Sequence, residues 1–247
     1  MGGITTDLRT GLAFCTRLPI TAPQGANLAQ AAWTFPVVGA VVGSLGALLY
    51  WLADGLGLPP FVSATLAVAA TALMTGCLHE DGLADTADGF GGGGTKTRKL
   101  EIMRDSRSGA YGVVALLVSV LLRVGAIAAL AGPGLAAAAL IAAHAGARGV
   151  LPLFMRAVPN AREDGLSAGA GTPTTGAATV AALLGLLALM VCLGVGAGLV
   201  AALLVAAGLI VLARLSLKQI GGQTGDVLGA VEQISEILIL LTAAALW

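Results

Sequence analysis

Apolar residues run along the chain in long unbroken blocks, at about 33–54, 60–78, 110–131, 134–155, 176–195, 198–213 and 228–246. Each block is long enough, or nearly so, for a helix to cross the hydrocarbon core of a bilayer, which takes roughly 20 residues. The blocks are continuous and do not alternate apolar with polar positions, so they do not read as β-barrel strands. Residues 3–18 mix apolar and polar positions at helical spacing and stop at Pro19. That stretch predicts a short amphipathic helix lying at the interface or tucked under the bundle. Small residues are dense within the blocks, and Gly39 and Gly43 have the GxxxG spacing that lets helices approach closely. The pattern predicts an all-α, polytopic integral membrane helix bundle. It has about seven transmembrane helices plus a short N-terminal amphipathic helix, in a single domain over 1–247. The sixth block is the shortest, and its boundary with the fifth is the least secure.

Composition agrees: 57% of the residues are hydrophobic, 11% are charged, and the mean hydropathy is +0.93. A soluble domain is closer to about a quarter charged. The formal net charge is zero, which implies no polyanion-binding surface and no nucleic-acid partner. Cys15, Cys77 and Cys192 lie far apart in apolar stretches and give neither a disulfide framework nor zinc spacing. Cys77 and His79 make only two potential ligands, and packing is the better reading for Cys77. No cleavable signal peptide is expected, because the first apolar stretch is short and runs into Arg17 and Pro19.

The basic residues fall on alternate connections. Segments 55–59, 132–133 and 196–197 carry no Lys or Arg, whereas the N-terminus, 79–109, 156–175 and 214–227 carry 11 of the 13. By the positive-inside rule the charged connections are cytoplasmic and the C-terminus lies outside. The expected location is the bacterial cytoplasmic (inner) membrane, with the lipid bilayer as partner and a site facing the cytoplasm.

Residues 78–109 hold six of the 13 carboxylates: Glu80, Asp81, Asp85, Asp88, Glu101 and Asp105. Asp81, Asp85 and Asp88 are spaced i, i+4, i+7, which places three carboxylates on one helical face. Like charges so close repel unless a cation neutralises them, and an all-oxygen cluster suits Mg²⁺. The GFGGGG run that follows offers backbone N–H groups, and Lys96, Arg98, Lys99, Arg104 and Arg107 offer positive charge. Together these residues read as a metal and phosphate site; the bland alternative is a solvated acidic loop. The GGQTGD turn at 221–226 offers backbone at Gly221, Gly222 and Gly225, with Thr224 and Asp226, as a phosphate cradle on the same membrane face.

Arg123 and Arg148 lie within apolar blocks, and a charge in lipid is costly enough that each is expected to face the bundle interior or a polar cavity. Snorkelling is the alternative, more workable for Arg148 than for mid-span Arg123. Glu232 and Glu236 share a face of the last helix and either join the site or pair with a base. His144 reads as a helix–helix hydrogen bond rather than a catalyst.

With these residues in hand, the chain resembles the cobalamin synthase (adenosylcobinamide-GDP ribazoletransferase) family nearly end to end. The resemblance is carried by Thr16-Arg17-Leu18-Pro19, Phe35-Pro36 with Gly39, ALMTGCLHEDGLADTADG at 72–89 and LEIMRDSRSGAYG at 100–112. Ala147-Arg148-Gly149, AREDGL at 161–166 and GGQTGDVLGA at 221–230 extend it. The family often has an apolar residue at Glu80 and glycine at Ser167. Asp85-Thr-Ala-Asp88-Gly89 is also similar to the DxxDG opening of CDP-alcohol phosphotransferases; the remainder of that motif is not reproduced, though Glu101 and Asp105 at i, i+4 offer an analogy.

The resemblance implies joining of adenosylcobinamide-GDP and α-ribazole, or its 5′-phosphate, to give adenosylcobalamin or its 5′-phosphate and GMP. It implies Mg²⁺ at Asp81, Asp85, Asp88 and Asp105, with Asp85, Asp105, Arg104 and Arg107 as the catalytic set and Asp105 as the preferred base. Arg148, Arg123, Gly222, Thr224 and Asp226 are the expected substrate- or phosphate-binding residues. Two other readings stay open: a CDP-alcohol phosphotransferase-like enzyme and a cation or proton transporter. The sequence leaves the oligomeric state open, a homodimer among the options.

Overall fold

The computed structural model describes residues 3–105, 107–130 and 132–247. The described residues are helical, without named strands, and follow in the order α1 (Ile4–Cys15), α2 (Leu28–Ala31), α3 (Phe35–Gly55), α4 (Pro60–Thr75), α5 (Leu78–Gly92), α6 (Lys96–Ile102), α7 (Ala110–Ala128), α8 (Pro133–Gly149), α9 (Leu151–Ala157), α10 (Leu166–Ala170), α11 (Thr175–Ile220) and α12 (Gly225–Leu246). Five continuous helical stretches are long and apolar enough to cross a membrane, and α4 with α5 adds a sixth as a pair bent by 89°.

The longest helix, α11, is two arms. Gly194 adopts φ 77° and ψ 161°, outside helical space, a conformation glycine tolerates because it has no Cβ. The arms fold back on each other there. A Cβ on Gly198 would lie 2.9 Å from the Leu189 carbonyl oxygen, too close for two residues on one straight helix. With α11 counted as its arms, all the expected apolar segments are present, and the insecure boundary falls at Gly194.

The surface is inverted relative to a soluble protein. Leu117 and Leu121 on α7, Leu187 and Val191 on one arm of α11, and Leu203 and Val211 on the other are exposed, while Arg123, Arg148, Glu232 and Glu236 are buried. Apolar solvent outside and compensated charge inside is the arrangement a bilayer selects. The GxxxG prediction holds between α3 and α8: a Cβ on Gly43 would lie 2.6 Å from the Leu140 carbonyl oxygen and 2.8 Å from the Ile141 Cα. Any side chain there would push the helices apart.

The amphipathic α1 is tied to the bundle by the Trp33 Nε1–H, which donates to the buried Asp7 carboxylate at 2.9 Å. At its end, the Arg17 backbone N–H donates to the Met74 carbonyl at 2.7 Å. That contact braces the turn that aims α5. Gly76 (φ 66°) and Cys77 (φ 57°) are consecutive left-handed residues between α4 and α5. Cys77 pays a steric penalty there that glycine avoids, of about 1–2 kcal/mol. The result is a helix that leaves α4 nearly at a right angle and packs across α12 and α7.

Candidate functional site

α5 carries the acidic face. Asp81 is exposed, Asp85 half-buried and Asp88 buried. The helix continues through Gly92, so Phe90, Gly91 and Gly92 are helical rather than an open glycine loop. Lack of side chains there serves packing: a Cβ on Gly91 would meet the Tyr111 ring at 2.7 Å, and one on Gly93 would lie 2.9 Å from the Lys99 backbone nitrogen.

The three aspartates have different partners. Asp88 accepts the Gly109 N–H at 2.7 Å and the Gly112 N–H at 2.9 Å. It therefore caps α7, satisfying two of the donors that a helix start leaves free. Among the described residues Asp81 and Asp85 make no ion pair. The charged neighbours of Asp85 are Asp81, Asp226 and Asp88, all of its own sign. Asp226 arrives because α5 and α12 cross at two glycines: a Cβ on Gly82 would lie 2.8 Å from the Asp226 carbonyl oxygen, and one on Gly229 would lie 3.0 Å from the Gly82 Cα. Asp226 sits in the first turn of α12, the positive end of the helix dipole. It accepts from the Thr224 hydroxyl at 3.1 Å and has the Arg162 guanidinium at 3.5 Å.

The GGQTGD segment is closed rather than open to a ligand. Gly221 is the left-handed C-cap of α11. The Gln223 N–H donates to the Pro159 carbonyl and the Ala161 N–H to the Gln223 carbonyl, both at 2.8 Å. A Cβ on Gly222 would lie 2.8 Å from the Ala161 nitrogen, so that glycine is where two loops touch. Thr224 caps α12, accepting the Val227 N–H at 3.3 Å. Ser167 joins the same knot, 2.9 Å from Gln223 Oε1. Of this predicted cradle, Asp226 alone reaches the acidic face.

Arg104 pairs with Asp164, with Nη2 2.6 Å from Oδ2, and so links the 103–109 and 161–167 loops. Asp105 pairs with Arg107, which donates from Nη2 at 2.7 Å, from Nε at 3.0 Å and from its backbone N–H at 3.1 Å. The Arg107 side chain, and then its backbone, hold the Asp105 carboxyl down at about 2. Asp105 is not among the charged neighbours of Asp85. The structure thus brings Asp81, Asp85 and Asp226 together and leaves Asp105 in the adjacent loop.

Arg123 and Arg148 do not reach this face; they anchor a second polar cluster inside the bundle. Arg123 contacts Glu80 at 3.1 Å and Glu236 at 3.4 Å. Arg148 contacts Glu232 at 2.5 Å, His144 Nδ1 at 3.0 Å and His79 Nδ1 at 3.3 Å. Both arginines are 1% exposed. Glu232 and Glu236 pair with bases, and His144 makes the helix–helix contact, 3.2 Å from Glu236. Among the described residues the group whose donor atoms lie close enough to hold a metal is His144, Glu232 and Glu236, within 4.8 Å of one another. The two arginines account for that proximity by supplying the opposite charge. Among the described residues Asp81, Asp85, Asp88 and Asp226 form no such trio, and Asp88 is turned away to cap α7.

Sequence reasoning singled out Asp226 without its partners and left Glu80 and His79 without a role. Glu80 carries a readable signal: an acid one residue from the i, i+4, i+7 set is turned about 100° away from their common face.

Fold and geometry define a polytopic helical membrane protein with a carboxylate-lined face at the end where its charged loops meet. The chain matches the family model described as cobalamin-5-phosphate synthase over residues 7–244, and it belongs to that family. It is 54% identical over 98% of its length to the adenosylcobinamide-GDP ribazoletransferase of Bradyrhizobium diazoefficiens, covering 94% of that protein. It is 49% identical to the enzyme of the same name from Mesorhizobium japonicum, over 98% of this chain and 93% of the relative. For the one from Azorhizobium caulinodans the identity is 47%, over 96% and 95%. These matches favour the transferase reading over the transporter and the CDP-alcohol phosphotransferase. No solved structure matches the chain.

Proposed function

We propose that this chain joins adenosylcobinamide-GDP to α-ribazole or its 5′-phosphate. A hydroxyl of the ribazole attacks the phosphate next to cobinamide, its proton passes to a carboxylate, the bond to the GMP phosphate breaks, and GMP leaves. The observation that carries the reading is the near-full-length match to ribazoletransferases of 47–54% identity. The geometry is compatible with it: Asp81 and Asp85 from α5 and Asp226 from α12 converge with no arginine paired to the first two.

An oxygen-only donor set suits Mg²⁺, which is usually held by one or two carboxylates together with waters and substrate phosphates, and Asp81, Asp85 or Asp226 would supply those carboxylates. Bound there, the ion supplies charge neutralisation for a diphosphate. The chain's own residues do the rest. Arg104 and Arg107, which follow α6, and Lys96 at the start of that helix supply positive charge for the phosphates, which phosphoryl transfer needs more than covalent chemistry. Asp105, held at about 2, is a poor base at neutral pH, and Asp85 is the better candidate to take the hydroxyl proton. The charged loops are read as cytoplasmic and the membrane as the bacterial inner membrane.

The test is purified protein with Mg²⁺, adenosylcobinamide-GDP and α-ribazole, with GMP followed. Release that requires both substrates and stops on chelation is expected. Release without ribazole, or none at all, would overturn the assignment.

A further inference from the structure

Beside the acidic face is a recess with a different character. Phe14, Phe35, Leu151, Met155, Leu166 and Leu228 line it, drawn from five helices. The Phe14 and Phe35 rings are stacked, with centroids 6.3 Å apart and planes 10° from parallel. The recess holds about 50 Å³ and shares Phe14, Leu28, Leu166 and Ala170 with an outer cavity of about 640 Å³ that reaches the 26–28 connector and α10. The outer volume is within the usual range of small-molecule sites, about 300–1,000 Å³.

Gly225 and Gly229 form one wall. They flank Asp226 on α12, and Gly229 is the residue that packs on Gly82 between Asp81 and Asp85. The recess therefore opens next to the carboxylates.

Two of its few polar atoms, one on Ser167 and one on His79, already have partners. Ser167 Oγ lies 2.9 Å from Gln223 Oε1 and 3.0 Å from Asn160 Oδ1. His79 Nδ1 is 3.3 Å from Arg148. A guanine here would bury its donors and acceptors unpaired, which apolar sites penalise strongly. A benzimidazole, flat and methylated with a single free ring nitrogen, would not.

We infer that this recess and its vestibule are the subsite for the benzimidazole base of the ribazole, leaving guanine to the polar loops. The inference rests on the ribazoletransferase reading and adds which substrate lies where. With the base between Phe14, Leu166 and Leu228, the attached ribose lies at the Gly225–Gly229 wall, beside Asp226 and within reach of the α5 carboxylates.

Leu166 is exposed on a short helix, so Leu166→Trp would narrow the vestibule without burdening the core. In that variant the KM for α-ribazole should rise about tenfold or more, while the KM for adenosylcobinamide-GDP stays as in wild type, the usual scale for changing the fit of an apolar pocket. The free dimethylbenzimidazole base should compete with α-ribazole and not with the GDP substrate. Equilibrium dialysis with labelled base reads binding without turnover: wild type should retain it and Leu166→Trp should not. A rise in the KM for the GDP substrate instead, base binding unaffected by Leu166→Trp, or a co-purifying acyl chain that the base cannot displace would overturn the assignment. Absence of GMP release with intact base binding would fault the reaction, not the subsite.

Discussion

Glu232 and Asp85 are carboxylates on neighbouring helices with opposite surroundings. Glu232 has the Arg148 guanidinium at 2.5 Å and sits in a cluster where Arg123 and Arg148 face Glu80, Glu232 and Glu236. Asp85 has three other aspartates as its charged neighbours. In the first region opposite charges meet where neither water nor lipid can solvate them, and the helices are locked at the angle that makes them meet. In the second, like charges gather at the end of the bundle. Folding alone gives no reason for that arrangement, because it raises the energy of the empty protein. The difference separates a cluster that holds the bundle from one whose arrangement folding does not explain.

The largest expected effect is on the paired side. Arg148→Met strands Glu232 in the bundle interior, and loss of one partner of a buried pair typically costs about 3–5 kcal/mol. Thermal melting in detergent should show the loss, and Arg148→Met with Glu232→Gln should recover most of it. A single variant that melts like wild type would mean that the pair is not holding the helices. Arg123→Leu is expected to behave alike, through Glu80 and Glu236.

Asp85→Asn should do the reverse. Melting should be unchanged or slightly raised, because one of several repelling charges is gone. GMP release should fall about 100- to 1,000-fold, the scale seen when one preorganised electrostatic group is lost from a transition state. Asp54, at the far end of α3, is the control and should tolerate Asn. Full activity in Asp85→Asn, or failure of Asp54→Asn instead, would remove the reactive role from this face.

Asp88 falls between the two. Its neighbours in sequence suggest a metal ligand, yet both its oxygens accept N–H groups at the start of α7. Asp88→Ala should therefore cost about 1–2 kcal/mol of stability, as lost helix caps do, and unlike Asp85→Asn should show it in melting. No loss of stability would return Asp88 to the unpaired group.

These roles were unevenly legible in the sequence. The common face of Asp81, Asp85 and Asp88 follows from helical periodicity within one segment, and the apolar blocks followed from length alone. That Arg123 must turn inward was also readable, from the cost of charge in lipid; its partners Glu80 and Glu236 were not, since they depend on how α5, α7 and α12 pack. The arrival of Asp226 depends on the Gly82–Gly229 crossing, a contact between segments 147 positions apart in the numbering. The cap that Asp88 provides depends on a loop that returns 21 residues later. The apolar recess is invisible to any local pattern, because seven helices contribute between one and three residues each to its lining.

The smallest effect concerns Asp105, which stands outside both clusters. Its ordinary value is 3.8, and Arg107 lowers it to about 2 in the folded protein. A folded value below the unfolded one means that the pair's contribution is complete above about 3.9 and is lost as the pH falls through about 2. Arg107 is exposed and Asp105 partly so, so solvent screens the pair and little stability is at stake. Arg107→Gln should melt like wild type at neutral pH, with any divergence confined to below about pH 4. In activity, Asp105 stays ionised across roughly pH 5–8, so it contributes no limb to the rate profile there. Asp105→Asn should keep the shape of the wild-type profile even if its height changes. If the acidic limb vanishes in that variant, the proton acceptor lies in the 103–109 loop, and the contrast with Glu232 should be drawn with Asp105 in place of Asp85.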